Sequence, residues 1–292
     1  MTGSEGPVAP PSLPVPTSQG PAAVRVFPAL PPARGTLLVG HGAGGQRDAA
    51  DVLALTELTG DGWTVVLVDQ PWRVAGRKVA TAPPTLDRAW SQVLAVLTEG
   101  GHAPDGTDLP RPWVYAGRSA GARVACRTSV QAAPTPAAVV ALAFPLHPPG
   151  RPERSRAEEL ATPVRAGIPT LVLQGGRDPM GTPAEIREAL GDRLRGVLTL
   201  HQVPGNHSPT RDLAALQGYV REFLDNLGRS GPQGGGPRET GPEPGGPPEA
   251  GPEPGGPRET GPREGALSDR GGSQPGVASV DRTSSRTGAP SP

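Results

Sequence analysis

Short apolar runs alternate with helix-like segments through the middle of this chain, and this alternation constrains the fold more than any other feature. The runs are apolar throughout rather than at every second position, which is typical of strands buried on both faces of a parallel sheet. Six such runs separated by helices predict an α/β fold: a doubly wound, mostly parallel sheet with helices on both faces. We predict an edge strand at 24–27 and buried strands at 36–40, 63–69, 113–117, 137–146, 170–174 and 197–203.

The two ends of the chain differ in composition from the middle. Residues 229–292 contain 16 glycines and 13 prolines among 64 residues, with too few apolar side chains to offset the entropy of ordering them. Residues 1–22 are proline-rich and have no strand or helix pattern. We therefore predict a disordered N-terminus (1–22), one domain (23–228) with room for a single core, and a disordered C-terminal repeat tail (229–292).

Composition also argues against several classes of protein. The formal net charge is zero and no basic cluster occurs, which argues against a nucleic-acid partner. The longest apolar stretch, 137–146, is about half a membrane span, and the N-terminus lacks the features of a signal peptide. The single cysteine, Cys126, excludes an internal disulfide framework and thiolate zinc sites. We expect a cytoplasmic protein with no membrane partner, no metal and no cofactor; the sequence identifies no protein partner for the tail.

A G-x-S-x-G pentapeptide follows the predicted strand 113–117. It spans Gly117–Gly121 and precedes a segment with helical periodicity, 120–133. The pentapeptide alone is weak evidence, because 42 of the 292 residues are glycines. Its position between a strand and a helix, however, is that of a nucleophile on a sharp turn at the carboxyl edge of a sheet, where ligands bind. The context predicts Ser119 as a nucleophile.

A serine nucleophile needs a base, and the base needs an orienting carboxylate. Asp178 follows the predicted strand 170–174, and His207 follows the predicted strand 197–203. The two residues thus lie at strand ends, in the order serine, acid, histidine. We predict a Ser119–His207–Asp178 triad in which Asp178, rather than Asp69, orients the imidazole.

The loop after the predicted strand 36–40 consists almost entirely of small residues. It reads His41-Gly42-Ala43-Gly44-Gly45, and small side chains allow a backbone N–H to approach the oxygen of a tetrahedral intermediate. The residue after the nucleophile supplies a second such donor in sites of this kind. We predict the backbone N–H groups of Ala43 and Ala120 as the oxyanion hole.

The same loop also matches a different motif. Gly40–Gly45 fits G-x-G-x-x-G after a strand, and Asp69 ends the next strand, which is the outline of a dinucleotide-binding site. The motif is weak in a chain so rich in glycine, and it leaves the serine, aspartate and histidine at the later strand ends unexplained. A dinucleotide-binding oxidoreductase remains an alternative.

The motifs HGAGG, GRSAG, GGRDPMG and GNHSP together resemble the α/β-hydrolase superfamily, in particular its small dienelactone-hydrolase-like members. Residues 68–80 and 144–156 further resemble a KANL/Tex-type branch of α/β-hydrolase-like domains, which includes bacterial proteins, a testis-expressed animal protein and a subunit of a nuclear histone-acetyltransferase complex. The resemblance covers residues 24–227 and implies the same triad and oxyanion donors. Dienelactone hydrolases have a cysteine nucleophile, so their lactone substrate is not carried over.

The sequence thus favours a serine hydrolase that acts on an ester, thioester or amide of a small-molecule or acyl substrate. About 206 residues leave room for a minimal lid or none, so we expect an open pocket. Loops 70–84 and 147–153 are expected to wall it, with Trp72 and Arg73 as substrate-binding residues. A non-catalytic hydrolase-fold binding module is the alternative from another class.

Overall fold

Eight strands form one sheet in the computed structural model, which describes residues 9–44, 48–191 and 196–229. Their apolar side chains are buried on both faces of the sheet except along the last strand, whose residues are mostly half-buried. The strands are β1 (Leu13–Val15), β2 (Ala22–Phe27), β3 (Gly35–Gly40), β4 (Trp63–Asp69), β5 (Trp113–Arg118), β6 (Ala138–Leu142), β7 (Thr170–Gly175) and β8 (Leu198–Val203).

The sheet is mostly parallel, which confirms the predicted fold class. The strand order is β1-β2-β4-β3-β5-β6-β7-β8; only β1 with β2 and β2 with β4 pair antiparallel. The other five pairs are parallel, so the carboxyl ends of β3 to β8 meet at one edge. The loops that carry the predicted site residues therefore converge there.

Helices cover both faces of the sheet. The described helices are α1 (Ala50–Leu53), which continues as a 3₁₀ helix over Ala54–Asp61, α2 (Pro71–Val74), α3 (Pro83–Gly100), α4 (Ala120–Thr128), α5 (Ala157–Arg165), α6 (Pro183–Leu190) and α7 (Leu213–Arg229). None of them combines the length and the hydrophobicity that a bilayer span requires.

The hydrophobic core has one layer on each side of the sheet. On one side, helices α3 to α6 pack against alternate strand residues, with Trp90 and Leu160 fully buried. On the other, α7 and the 3₁₀ helix pack against the intervening residues, with Leu55 and Val220 fully buried. Because each strand contributes side chains to both layers, the strands read as continuous apolar runs.

The N-terminal segment differs from the prediction of disorder over 1–22. Leu13–Val15 form edge strand β1, in which Leu13 pairs with Val24 and Val15 with Ala22. Val15 is fully buried, and an edge position tolerates the neighbouring Pro14. Sequence patterning missed this strand because it is only three residues long. The predicted disorder of the C-terminal tail falls on residues outside the described part of the chain.

Two predicted boundaries were also wrong. The strand predicted over 137–146 ends at Leu142, because Ala143 adopts a left-handed conformation with φ 47° and the chain leaves the sheet. The helix predicted over 120–133 ends at Thr128.

Cys126 lies on α4 and is completely buried. Burial raises the pKa of its thiol well above the usual range, and the Glu159 carboxylate raises it further. Since only the thiolate is a good nucleophile, we predict that native protein does not react with Ellman's reagent at about pH 8, whereas guanidinium-unfolded protein reacts with one equivalent. Stoichiometric labelling of the native protein would contradict this burial.

Candidate active site

Ser119 lies on a strained turn between β5 and α4. Its backbone has φ 53° and ψ −109°, a region that residues other than glycine rarely occupy. Its N–H donates to the Leu142 carbonyl at the end of β6, 2.9 Å away, which anchors the turn to the sheet. Strain of this kind persists only where the surrounding structure holds it, and it raises the serine side chain above the edge of the sheet.

The turn at Ser119 can pack against the sheet because the glycines on either side of it, Gly117 and Gly121, carry no side chain. A Cβ on Gly117 would lie 2.3 Å from the carbonyl carbon of Gly121, and a Cβ on Gly121 would lie 2.2 Å from the Gly40 oxygen. No side chain fits at such distances. The two glycines of the pentapeptide are therefore required by the close packing of α4 against β5 and β3.

Ser119, His207 and Asp178 come together in one chain of hydrogen bonds. The Ser119 hydroxyl donates to Nε2 of His207 over 2.8 Å, and Nδ1–H of His207 donates to Oδ2 of Asp178 over 2.8 Å. The carboxylate places the proton of a neutral imidazole on Nδ1, which leaves Nε2 as the acceptor. Asp178 is buried, whereas Ser119 and His207 are half-buried. The serine end of this hydrogen-bonded triad is therefore the end that solvent can reach.

The Asp178 carboxylate is held by donors that the sequence did not single out. Its Oδ2 also accepts a hydrogen bond from the Gln174 side-chain amide (2.9 Å), and its Oδ1 accepts one from the Met180 backbone N–H (2.8 Å). The same Gln174 nitrogen donates to the Gly181 carbonyl (2.7 Å). These contacts compensate the burial of the charge and orient the carboxylate. The sequence does contain a signal for this role of Gln174, because a glutamine within the buried apolar run of β7 needs hydrogen-bond partners.

The loop after β3 lies beside Ser119. A Cβ on Gly42 would be 3.6 Å from the Ser119 Cβ. His41 holds this loop: its Nδ1 donates to the Gly42 carbonyl (2.8 Å), and its Nε2 accepts from the Gln70 N–H (3.1 Å).

The two predicted oxyanion donors lie on the elements that flank the nucleophile. Ala43 is half-buried in the loop after β3, and Ala120 is the first residue of α4. The first N–H groups of a helix have no partner within the helix, so that of Ala120 is available to a ligand.

Arg118, the residue before Ser119, links three parts of the site. Its Nε donates to Oδ2 of the fully buried Asp51 (2.8 Å), and its Nη2 donates to the His207 carbonyl (3.0 Å) and the Ser208 hydroxyl (2.9 Å). Its Nη1 occupies the space that a side chain on Gly42 would need. Arg118 therefore braces the loop of the histidine against α1 and the loop after β3. Arg118 was not identified from the sequence, although an arginine at the end of a buried apolar strand requires an oppositely charged partner.

The two predicted substrate-binding residues lie next to the loop after β3. Trp72 is buried, and its ring meets the His41 ring edge-on at a centroid distance of 5.4 Å. The Arg73 guanidinium lies over the Trp72 ring, 4.4 Å from its centroid. Both residues belong to α2, a single turn of helix in the segment that was expected to be a loop.

A narrow cavity of about 10 Å³, room for roughly one water molecule, borders the residue after the nucleophile. Ala120, His41, Trp72 and Trp90 are among its lining residues. A larger cavity of about 450 Å³ is lined by Trp63, Pro112 and Pro169, at the amino ends of the strands, and so lies at the opposite end of the sheet from the triad.

Residues 147–153, the second segment predicted to line the pocket, pack against the loop that contains Asp178. The His147 N–H donates to the Met180 carbonyl over 3.0 Å, two residues after Asp178. Residues 143–156 join β6 to α5 without a helix or strand. This connection thus contains no helical lid.

The dinucleotide alternative finds no support in the position of Asp69. Its side chain is only 4 % exposed and lies 4.0 Å from Nε of Arg25, so the carboxylate is not presented to a ribose. Within the described ranges, no group of three or more His, Cys, Asp or Glu residues is placed to hold a metal ion.

Comparison with known proteins agrees with this architecture. A family model described as an alpha/beta hydrolase domain matches residues 33–213, which contain β3 to β8, Ser119, Asp178 and His207. No curated protein sequence matches the chain.

Several solved structures have a similar fold. They include an alpha-beta serine hydrolase homologue from Coxiella burnetii (TM-score 0.57, 15 % identity, covering 76 % of this chain and 100 % of that one). A dienelactone hydrolase from Anabaena variabilis gives a TM-score of 0.56 at 20 % identity, over 75 % of this chain and 99 % of that one. A serine hydrolase without a lid from Xanthomonas campestris gives 0.54 at 22 % identity, over 76 % and 96 %. At these identities the likeness establishes the fold.

Proposed function

This chain belongs to the alpha/beta hydrolase domain family, and from that premise we propose that it is a serine hydrolase that cleaves an ester, thioester or amide bond. The observation that carries the proposal is the pair of 2.8 Å hydrogen bonds that join Ser119 to His207 and His207 to Asp178. A nucleophile, a base and an orienting carboxylate within hydrogen-bonding distance are what acyl transfer to serine requires.

In the proposed reaction Ser119 Oγ attacks the carbonyl carbon while His207 Nε2 takes its proton. The tetrahedral oxygen is stabilised by the backbone N–H groups of Ala43 and Ala120. His207 then gives the proton to the leaving group, which departs and leaves the acyl-enzyme. In the second half of the reaction, water attacks the acyl carbonyl while His207 takes its proton, and His207 returns that proton to Ser119 as the acid is released. Asp178 stays ionised throughout and stabilises the imidazolium that forms on His207.

The absence of a helical lid between β6 and α5 supports a small or surface-accessible substrate. The resemblance of residues 68–80 and 144–156 to the KANL/Tex-type branch belongs to the same proposal. The cytoplasmic location remains a prediction from the sequence.

Labelling with a fluorophosphonate probe tests the proposal. We expect the probe to phosphonylate Ser119, with the mass increase found on the peptide that carries it, because only a serine activated by a base reacts at a useful rate. Heat-unfolded protein serves as the control and should remain unlabelled. If folded protein is not labelled while a known serine hydrolase is, the fold acts as a non-catalytic binding module.

A further inference from the structure

The segment that follows β4 forms one wall of the candidate active site. The Gln70 N–H donates to Nε2 of His41 over 3.1 Å, and the Trp72 ring packs on the His41 ring. His41 in turn holds the loop whose Gly42 lies against Ser119. A ligand bound to this segment would therefore lie close to the nucleophile.

This segment carries an excess of positive charge. Between Asp69 and Asp87 the sequence contains Arg73, Arg77 and Lys78 but no aspartate or glutamate. Arg77 lines a cavity of about 140 Å³ that Trp72 also borders. In a chain with zero net charge, an unbalanced group of cations beside a reactive serine favours an anionic substrate.

The Arg73 guanidinium is held in an unfavourable state. Its Nε and Nη2 are shielded from solvent, and neither has a hydrogen-bond partner among the described residues. The contact with the Trp72 ring covers one face of the guanidinium but satisfies no N–H group. Buried donors without acceptors are costly, above all on a charged group, so this edge of Arg73 points to a ligand that supplies the acceptors.

Two other arginines show which group the Nε and Nη2 edge of a guanidinium binds in this protein. Nε and Nη2 of Arg123 donate to the two oxygens of Glu159 (2.8 and 2.6 Å). Nε and Nη2 of Arg127 donate to the two oxygens of Asp87 (2.7 and 2.5 Å). In both pairs this edge of the guanidinium holds a carboxylate with two parallel hydrogen bonds, the arrangement that suits its fork-shaped geometry.

We infer that Arg73 binds a carboxylate of the substrate, so that the enzyme hydrolyses esters of dicarboxylic acids in preference to neutral esters. This inference rests on the proposed function. To reach the carboxylate, the guanidinium turns away from the Trp72 ring, a change that needs only side-chain rotation on a half-buried residue. Arg77 provides a second cation at the adjoining cavity.

The preference for an acidic acyl group is measured as a ratio of kcat/KM values. The two substrates are mono-p-nitrophenyl glutarate and p-nitrophenyl acetate. We expect Arg73→Gln to lower the glutarate-to-acetate ratio roughly 10- to 100-fold, the loss typical of a hydrogen bond to a charged group. Arg73→Lys, which keeps the charge but not the fork, should lower it less. Arg88→Gln, which removes an exposed arginine of α3, is the matched control and should leave the ratio unchanged.

Calorimetric titration with glutarate provides a readout that does not need turnover. We expect glutarate to bind the wild type at least tenfold more tightly than Arg73→Gln. We also expect the melting temperature of Arg73→Gln to equal or exceed that of the wild type, because Nε and Nη2 lose no hydrogen bond and are relieved of their unpaired burial; a structural arginine would lower it. If the wild type hydrolyses neither ester but binds glutarate through Arg73, the proposed hydrolysis fails and the carboxylate site stands.

Three results would overturn the inference. The first is an unchanged substrate ratio and glutarate affinity in Arg73→Gln. The second is a lower melting temperature of that variant with no change in the ratio. The third is Arg73-dependent binding of inorganic phosphate more tightly than glutarate, which would assign the edge to phosphoryl groups.

Discussion

We expect the Ser119→Ala variant to hydrolyse p-nitrophenyl acetate roughly four to six orders of magnitude more slowly than the wild type. The substitution removes the attacking oxygen and leaves His207 and Asp178 with nothing to activate. Stability should hardly change, because among the described residues the hydroxyl bonds to His207 alone, and alanine has the same Cβ in the turn. The measurement is kcat/KM together with the melting temperature, which we expect to stay within about 2 °C.

A second serine provides the control for this variant. Ser18 is exposed, and within the described part of the chain its hydroxyl bonds only to the Gln92 and Gln19 side chains, at the β1 side of the sheet. Ser18→Ala should therefore keep wild-type activity. If folded Ser119→Ala retains more than about a tenth of that activity, another group is the nucleophile and the triad assignment is wrong.

Arg118→Met should destabilise the protein by about 3–5 kcal/mol, because it leaves the Asp51 carboxylate buried without its cation. For a domain of this size, that corresponds to a fall in melting temperature of roughly 6–20 °C. Activity should also fall, since the His207 carbonyl and the Ser208 hydroxyl lose their shared donor. Thermal and urea unfolding measure the first effect, and the rate of fluorophosphonate labelling measures the second.

The double variant Arg118→Met/Asp51→Asn separates these two effects. Neutralising Asp51 removes the unpaired charge, so stability should recover by a large part of the loss, as a double-mutant cycle would register. Labelling of Ser119 should stay slow, because the loop of His207 remains unbraced. If labelling recovers together with stability, Arg118 has only a structural role and does not position the histidine.

The parallel sheet and the three residues at its edge could be predicted from local patterns in the sequence. Strands buried on both faces leave continuous apolar runs, and this signal is local, so β3, β4 and β7 were found to within a residue or two at each end. Parallel strands bring their carboxyl ends to one edge whatever their order. Ser119, Asp178 and His207 could therefore be grouped from chain position and chemical type alone.

The groups that support that site could be identified only from the folded chain. The partner of Arg118 is Asp51, 67 residues earlier, and no local pattern links the two. Gln174 and Asp178 are only four residues apart, but the amide reaches the carboxylate because the chain turns after β7.

The end of β6 and the existence of β1 were decided in the same way. An apolar run continues past Leu142, but the strand ends there because Ala143 adopts a left-handed conformation and the chain leaves the sheet. Leu13–Val15 become a strand only because β2 offers an unpaired edge. Periodicity records which side chains are buried, whereas these features depend on how a segment pairs with its neighbouring strand, which is decided only when the sheet forms.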